Sequence, residues 1–212
     1  MTTDTSAPPD ESGSPPLADP IRRFIALLEQ ARGLGAELIP EPTAFALATV
    51  GRDRQPSVRI LLLKGVDARG FAFYTNYESR KGRELLAHPK AALCFHWQPL
   101  EVQVRVEGPV GPLSPEEADA YFATRARSSQ IGAWASLQSR PIEREGDLER
   151  RVVELTRRFD GKLVARPPHW SGFRLAPEQM EFWRNRPGRL HERHLYTRMR
   201  EGEGWHIERL YP

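Results

Sequence analysis

The sequence predicts a mainly β, α+β protein: a small antiparallel barrel with helices packed outside it. Three observations point there. Apolar segments of strand length, such as 43–50 and 58–64, follow one another with short polar turns between them. Helical patterns do not alternate regularly with these segments, as a doubly wound parallel sheet requires. There is neither a G-x-G-x-x-G after a strand nor a P-loop.

The elements follow in order. Asp19-Pro20 opens a helix, with Asp as cap and Pro at the first position. Ile21, Phe24, Ile25, Leu27 and Leu28 give it an apolar face, and Gly33 and Gly35 end it. Strands are expected over 43–50, 58–64 and 71–75, with turns at 51–54 and 66–70. Ser79 caps a short helix that stops before Pro89. Two strands follow over 91–97 and 101–110; in the second, Val102, Val104 and Val106 alternate with Gln103, Arg105 and Glu107. Ser114-Pro115-Glu116-Glu117 is a capping box opening a helix to Thr124. Further helices are expected over 129–137 and 147–159, the last with Leu148, Val152, Leu155 and Phe159 on one face. Strands close the chain over 172–175, 180–184, 193–200 and 205–210.

The chain has 212 residues, 39% hydrophobic and 28% charged, which suits one folded domain with a real core. Residues 1–19, rich in Pro, Ser, Thr, Asp and Gly, read as a flexible tail. The single domain is then 20–212, including a helical insertion at about 114–160. No run approaches the roughly 20 apolar residues of a membrane helix, and no secretory signal is recognisable, so a cytoplasmic protein without membrane contact is expected. Cys94 is the one cysteine, which excludes a disulfide framework and a cysteine-rich metal site. The 31 basic residues are interleaved with 28 acidic ones, which disfavours nucleic acid as a partner. Only Lys64, Lys81, Lys90 and Lys162 are lysines. The abundant arginines suit bidentate binding of small phosphorylated ligands.

Four constellations carry possible chemistry. In Arg59-Ile-Leu-Leu-Leu-Lys64 a strand sends its two cations to opposite faces. Taken alone, a strand with solvated ends is the simpler account. In 73–82 a strand runs through a polar turn into a helix start, where hydroxyls, Arg80, Lys81 and free N–H groups make a ready anion site. A capped surface helix accounts for it equally well. Tyr121 and Arg125, four apart, share a helix face near Ser128, Ser129 and Gln130, which suits a phosphate clamp or an ordinary amphipathic helix end. Finally, Arg189, His191 and Arg193 would project together from a strand near Trp183, a row suited to a flat anionic or aromatic ligand. His191 and His194 lack the companions of a metal site, so no metal is expected.

Together these strings resemble the pyridoxamine 5′-phosphate oxidase family, FMN enzymes that make pyridoxal 5′-phosphate. The resemblance runs from about Glu41-Pro42 to Pro212. It rests on RILLLKGVD (59–67), GFAFYTNYESRKG (70–82), QVRVEG (103–108), YFATRARSSQIGAWASLQS (121–139), EFW (181–183), RLHER (189–193) and RLYP (209–212). It implies a split antiparallel β-barrel with peripheral helices, forming a homodimer with FMN at the subunit interface. Arg59, Thr75, Arg80, Lys81 and Ser139 would hold FMN, mainly its phosphate. Tyr74, Gln103, Gln138, Trp183 and Arg193 would complete the flavin site, with backbone near Ile60, Leu61 and Leu62. Lys64, Tyr121, Arg125 and Ser129 would clamp the substrate phosphate. Arg189, Leu190 and His191 would lie by the pyridine ring, with Arg189 and His191 as the catalytic residues.

The implied reaction oxidises the C4′ amine or alcohol of a small phosphorylated pyridine, with dioxygen as final acceptor and hydrogen peroxide as by-product. The protein's share is orientation and electrostatics. The chain departs from the family pattern at Val102, usually Arg, and at Arg184-Asn185, usually Gln-Gly. Ser171 stands within the usual Trp-Gly-Gly, Glu192 takes an Asp place, and Leu27 replaces a Trp. The basic, Tyr-containing N-terminal segment of some members is not recognisable in 1–19. Two rival readings are a flavin oxidase of another small heteroaromatic, such as a phenazine precursor, and a non-catalytic flavin- or vitamer-binding protein. The joint presence of Lys64, Tyr121, Arg125 and Ser129 argues against the first.

Overall fold

In a computed structural model the described residues are 18–199 and 204–212. The expected tail over 1–19 lies outside them except for Ala18 and Asp19. The Asp19 carboxylate accepts from the Ile21 N–H at 2.9 Å and starts helix α1 (Pro20–Gly33). Its 3.6-residue spacing buries Ile21, Phe24, Leu27, Leu28 and Ala31.

The strands are β1 (Ala44–Val50), β2 (Pro56–Leu62), β3 (Gly65–Asp67), β4 (Gly70–Asn76), β5 (Lys90–Trp97) and β6 (Val102–Pro112), then β7 (Trp170–Leu175), β8 (Gln179–Arg184), β9 (Glu192–Arg198) and β10 (Trp205–Arg209). Helix α2 (Arg80–Ala87) follows β4, and α3 (Pro115–Thr124), α4 (Arg127–Ala135) and α5 (Asp147–Arg158) lie between β6 and β7. The capping box at Ser114 and Glu117 is formed.

All strand pairs among the described residues are antiparallel. One path runs β10-β9-β8-β6-β5-β1-β2, and β3, β4 and β7 branch from β6. Strand β6 makes the split: Val102 to Glu107 pair with β8, while Val110 to Pro112 turn to β7. The Lys64 N–H donates to the Ala72 carbonyl, extending the β3–β4 pairing into the segment that follows β2. This is the split antiparallel barrel with peripheral helices that the sequence predicts.

Two strand expectations are corrected. The turn expected over 66–70 overlaps the end of β3, because the Asp67 carboxylate accepts from the Arg69 N–H and confines the reversal to the residues after Asp67. The strand expected over 193–200 is β9, one residue earlier at its start; Arg200 lies outside the described residues.

The largest fully buried side chains of the core are mostly aromatic, packed among leucines and valines. Phe24 of α1 packs edge-on against Phe71 and Phe95, and Phe45 meets Phe73 at 5.7 Å. Rings that bury 150–250 Å² each dominate such a core. A second cluster, Phe122, Ile131, Ala135, Leu155, Val164 and Trp170, fastens α3, α4 and α5 beside the barrel. No helix among the described residues is long and apolar enough to cross a membrane.

Candidate active site

The start of α2 gathers positive charge. Ser79 caps the helix, accepting from the Gly82 N–H at 3.2 Å and donating to the Asn76 carbonyl at 2.6 Å. A side chain at Gly82 would sit 2.5 Å from the Asn76 and Tyr77 carbonyl oxygens, so glycine permits this tight entry. Arg80 and Lys81 follow, and Arg59 reaches the same place from β2. Between them lies Glu84, whose carboxylate accepts from Thr49 at 2.5 Å, Ser57 at 2.7 Å, Arg80 at 2.9 Å and Arg59 at 3.3 Å. Burial alone would push its carboxyl up. The hydrogen bonds from Thr49, Ser57 and Arg80, with the Arg59 charge, bring it down to about 2. Lys81 is buried and has no carboxylate partner among the described residues; its ammonium donates to Gln138 at 2.9 Å. Burial, then the neighbouring Arg59, lower its pKa. The Arg80 N–H donates to Ser139 at 3.2 Å, and Ser139 has a left-handed φ of 69°. Two arginines thus share one carboxylate and Lys81 adds a third cation beside them, leaving a positive surplus.

Beside this group opens a cavity of about 460 Å³. Ile60, Leu61, Leu62 and Lys64 line it from the β2 side, Tyr74 and Thr75 from β4, and Tyr121, Arg125, Ser129 and Gln138 from the helical side. The opposite facing of Arg59 and Lys64 is realised: Arg59 turns to Glu84, Lys64 to the cavity. The Tyr121–Arg125 geometry is corrected. Helix α3 ends at Thr124, and Arg125 is its extended C-cap, so the two do not share a helix face. They meet because both border the cavity. The Arg125 guanidinium lies 4.7 Å from the Trp170 ring centre, and its Nη1 is buried with no hydrogen-bond partner among the described residues. Burial lowers its pKa, opposed by Tyr121. Burial also raises the Tyr74 and Tyr121 phenols, whose rings stack 4.0 Å apart.

The remaining expected residues form a second group. Gln103 on β6 pairs with Trp183 on β8, which pairs with Arg193 on β9. Strands β6, β5 and β1 separate β8 from β2, and none of these residues lines the cavity. The row of Arg189, His191 and Arg193 on one strand is corrected. Pro187-Gly188-Arg189 form a 3-10 turn with left-handed φ at Gly188 (67°) and Arg189 (63°), and β9 begins only at Glu192. Arg189 and Leu190 are exposed on this hairpin loop. His191 packs 4.6 Å from Trp183, and its Nδ1 accepts from the Arg186 N–H at 3.3 Å, which leaves the neutral ring's proton on Nε2. The loop is tied down by Asn185 to Glu101 at 3.1 Å and Arg186 to Glu192 at 2.9 Å. Arg193 donates to Glu181 at 2.7 Å and to the Tyr211 carbonyl at 2.9 Å. Among the departures, Val102 is buried opposite Arg184, and Ser171 pairs with Thr75.

Sequence reasoning missed Glu84, Asn76, Gly132, Ala133, Ser136 and Trp170. A helical position facing Arg80 one turn earlier was the available signal for Glu84. Trp170 opens the segment that resembles the family's Trp-Gly-Gly, but its role rests on partners from β4 and α3 that no local spacing reveals.

A family model described as pyridoxamine 5′-phosphate oxidase matches residues 35–158. A second, described as the pyridoxine 5′-phosphate oxidase C-terminal dimerisation region, matches 170–212. The pyridoxine/pyridoxamine 5′-phosphate oxidase of Myxococcus xanthus (strain DK1622) is 56% identical over 194 residues, 92% of each chain. That of Rubrobacter xylanophilus is 55% identical over 202 residues, covering 95% of this chain and 90% of its own. Among solved structures, PhzG from Burkholderia lata in complex with tetrahydrophenazine-1-carboxylic acid superposes with a TM-score of 0.85 at 34% identity, covering 93% of this chain and 94% of that one. An FMN-binding protein from Nostoc punctiforme, at 20% identity and a TM-score of 0.71 over 92% of this chain and 98% of its own, shares the fold. Two family matches in chain order, with relatives more than half identical over nine-tenths of the sequence, establish that this chain belongs to the pyridoxamine 5′-phosphate oxidase family.

Proposed function

We propose that the protein oxidises pyridoxamine 5′-phosphate or pyridoxine 5′-phosphate to pyridoxal 5′-phosphate with FMN as cofactor and dioxygen as acceptor, releasing hydrogen peroxide. The observation that carries this reading is that Lys64, Tyr121, Arg125 and Ser129 border one cavity with Ile60, Leu61, Leu62, Tyr74 and Thr75. Such a set matches a phosphate at one end and a planar ring along the strand. Relatives at 56% identity carry the name of this oxidase.

The residues at α2 fit FMN. A buried lysine without a carboxylate partner, beside two arginines that share a single carboxylate, suits a terminal phosphate. Arg59, Arg80 and Lys81 would hold that phosphate with Thr75 and Ser139. When bound, FMN supplies the hydride acceptor and the route for electrons to dioxygen. The chain's residues do the rest. Lys64, Arg125, Tyr121 and Ser129 hold the substrate phosphate, using remote binding energy to fix C4′ in place. Arg189 orients the ring, and His191, fixed by the Arg186 N–H, helps to position it.

The active unit in this reading is a homodimer. Gln103, Trp183, Arg189, His191 and Arg193 lie apart from the cavity in their own chain. A second copy would bring its β8–β9 hairpin over the cavity and complete the flavin site. The dimerisation-region description of residues 170–212 supports this.

The test is to purify the chain, record its visible spectrum, and assay both phosphorylated vitamers with peroxide detection. A flavin spectrum with peroxide-yielding turnover is expected. The likeness to PhzG favours a second reading, oxidation of a reduced phenazine carboxylate. Turnover of that compound alone would replace the first reading, and bound FMN without peroxide would mark a carrier.

A further inference from the structure

We propose that Trp170 is a positioning residue of the phosphate clamp: its indole face holds the Arg125 guanidinium ready for an anion without cancelling its charge. The inference rests on the reading of Arg125 as a substrate-phosphate ligand.

Arg125 has no conventional anchor. It lies one residue beyond α3, and no carboxylate pairs with it among the described residues. Two rings hold it instead, Trp170 at 4.7 Å and Phe122 at 5.6 Å from the guanidinium carbon. The indole is the better cation partner of the two. A carboxylate in its place would grip the arginine more tightly, but would also neutralise it and repel a phosphate. An aromatic face orients the plane and leaves the full charge for the ligand. The buried Nη1, without a partner, is a donor awaiting an acceptor, and an anion beside it relieves the cost of leaving it unsatisfied.

Trp170 is itself closely packed. It is 7% exposed, stacks on Tyr74 at 5.4 Å with the planes 5° apart, and meets Phe122 edge-on at 5.1 Å. Its carbonyl accepts from Arg166 Nη1 at 2.8 Å. The ring therefore passes the rigidity of β7 to a side chain in a connecting segment. Tyr121 stacks in the same series, at 6.2 Å and 9° from Trp170, so two proposed phosphate ligands lean on one indole.

The test uses the FMN-loaded protein. Three quantities are measured for wild type, Trp170→Phe, Trp170→Leu and Arg125→Ala: KM for pyridoxamine 5′-phosphate, KM for unphosphorylated pyridoxamine, and Ki for inorganic phosphate. Trp170→Leu is expected to raise the first and third together by about tenfold. Its kcat stays within about threefold and its KM for the unphosphorylated amine is unchanged, as befits lost ground-state binding. Trp170→Phe is expected to fall between it and wild type. Combining Trp170→Leu with Arg125→Ala should cost no more than Arg125→Ala alone, because the indole then has no cation left to hold. A flavin-loaded Trp170→Leu with unchanged Ki, equal losses for both amines, or additive effects would overturn the proposal. Should Trp170→Leu fail to hold FMN, the same cycle run with Trp170→Phe decides, coupling supporting the proposal and additivity refuting it. If the wild type oxidises neither vitamer, the proposed activity fails by itself. Thermal stabilisation of the holoprotein by inorganic phosphate, kept in wild type and lost in Trp170→Leu, would still support the role of Trp170; equal stabilisation would refute it.

Discussion

The Lys81 ammonium and the Gln138 side-chain carbonyl, 57 residues apart in the chain, meet at 2.9 Å. Their bond ties the start of α2 to the segment after α4. The Arg80 N–H to Ser139 bond, 3.2 Å, doubles the link. The cation cluster and the cavity wall thus form one unit.

Lys81 gives the first prediction. Replacing it with Gln should weaken FMN binding while leaving riboflavin binding within about threefold, because the lost contact is to phosphate. The sign of the pH effect follows from its lowered pKa: raising the pH removes the ammonium's proton earlier than for an ordinary lysine, so FMN affinity falls on the alkaline side. Fluorescence titration of apoprotein with both flavins across pH checks this. Equal losses for both would place Lys81 away from the phosphate.

Glu84 makes stability acid-sensitive. Its carboxyl sits at about 2 in the folded chain against an ordinary 4.5. A depressed folded pKa stabilises fully above the unfolded value and ceases to do so as pH falls from about 4.5 through about 2. Urea unfolding at a series of pH values is expected to show a shallower acid decline for Glu84→Gln than for wild type. Parallel curves would mean that the four hydrogen bonds do not survive in solution.

Lys64→Ala and Arg125→Ala should raise KM for the phosphorylated amine more than they change flavin content. Each deletes a charge-assisted contact worth roughly 1.5–3 kcal/mol, or about ten- to a hundredfold. Steady-state kinetics beside flavin absorbance separates the effects. Loss of FMN with unchanged KM would reassign both residues to the cofactor.

Arg189→Lys keeps a charge but loses the planar fork. It is expected to retain FMN and lower kcat/KM by at least about tenfold, roughly 1.4 kcal/mol of transition-state stabilisation. His191→Ala should lose less. Wild-type kinetics in Arg189→Lys would make that arginine a surface residue of the hairpin.

Much of this protein is legible one segment at a time. The caps at Asp19, Ser79 and Ser114 and the alternation of Val102, Val104 and Val106 depend on neighbours a few residues away, and all are present. The motifs 59–64 and 121–139 likewise named most of the residues that border the cavity. What the pattern lacked was any measure of where regular structure stops. Arg125 falls just past a helix end, and the left-handed turn at Gly188-Arg189 resets the strand period before Glu192. Only the tertiary structure decided the rest. Glu84 receives Thr49 from 35 residues away, and Trp170 meets Tyr74, Tyr121 and Arg125 across the gap between barrel and helices. The barrel's strand order also parts Trp183, Arg189 and Arg193 from the cavity. Caps and periodicities arise from bonds within a few residues and can be read from the chain. Cation–ring contacts, shared carboxylates and the division of a site depend on which distant strands pair, which no local spacing records.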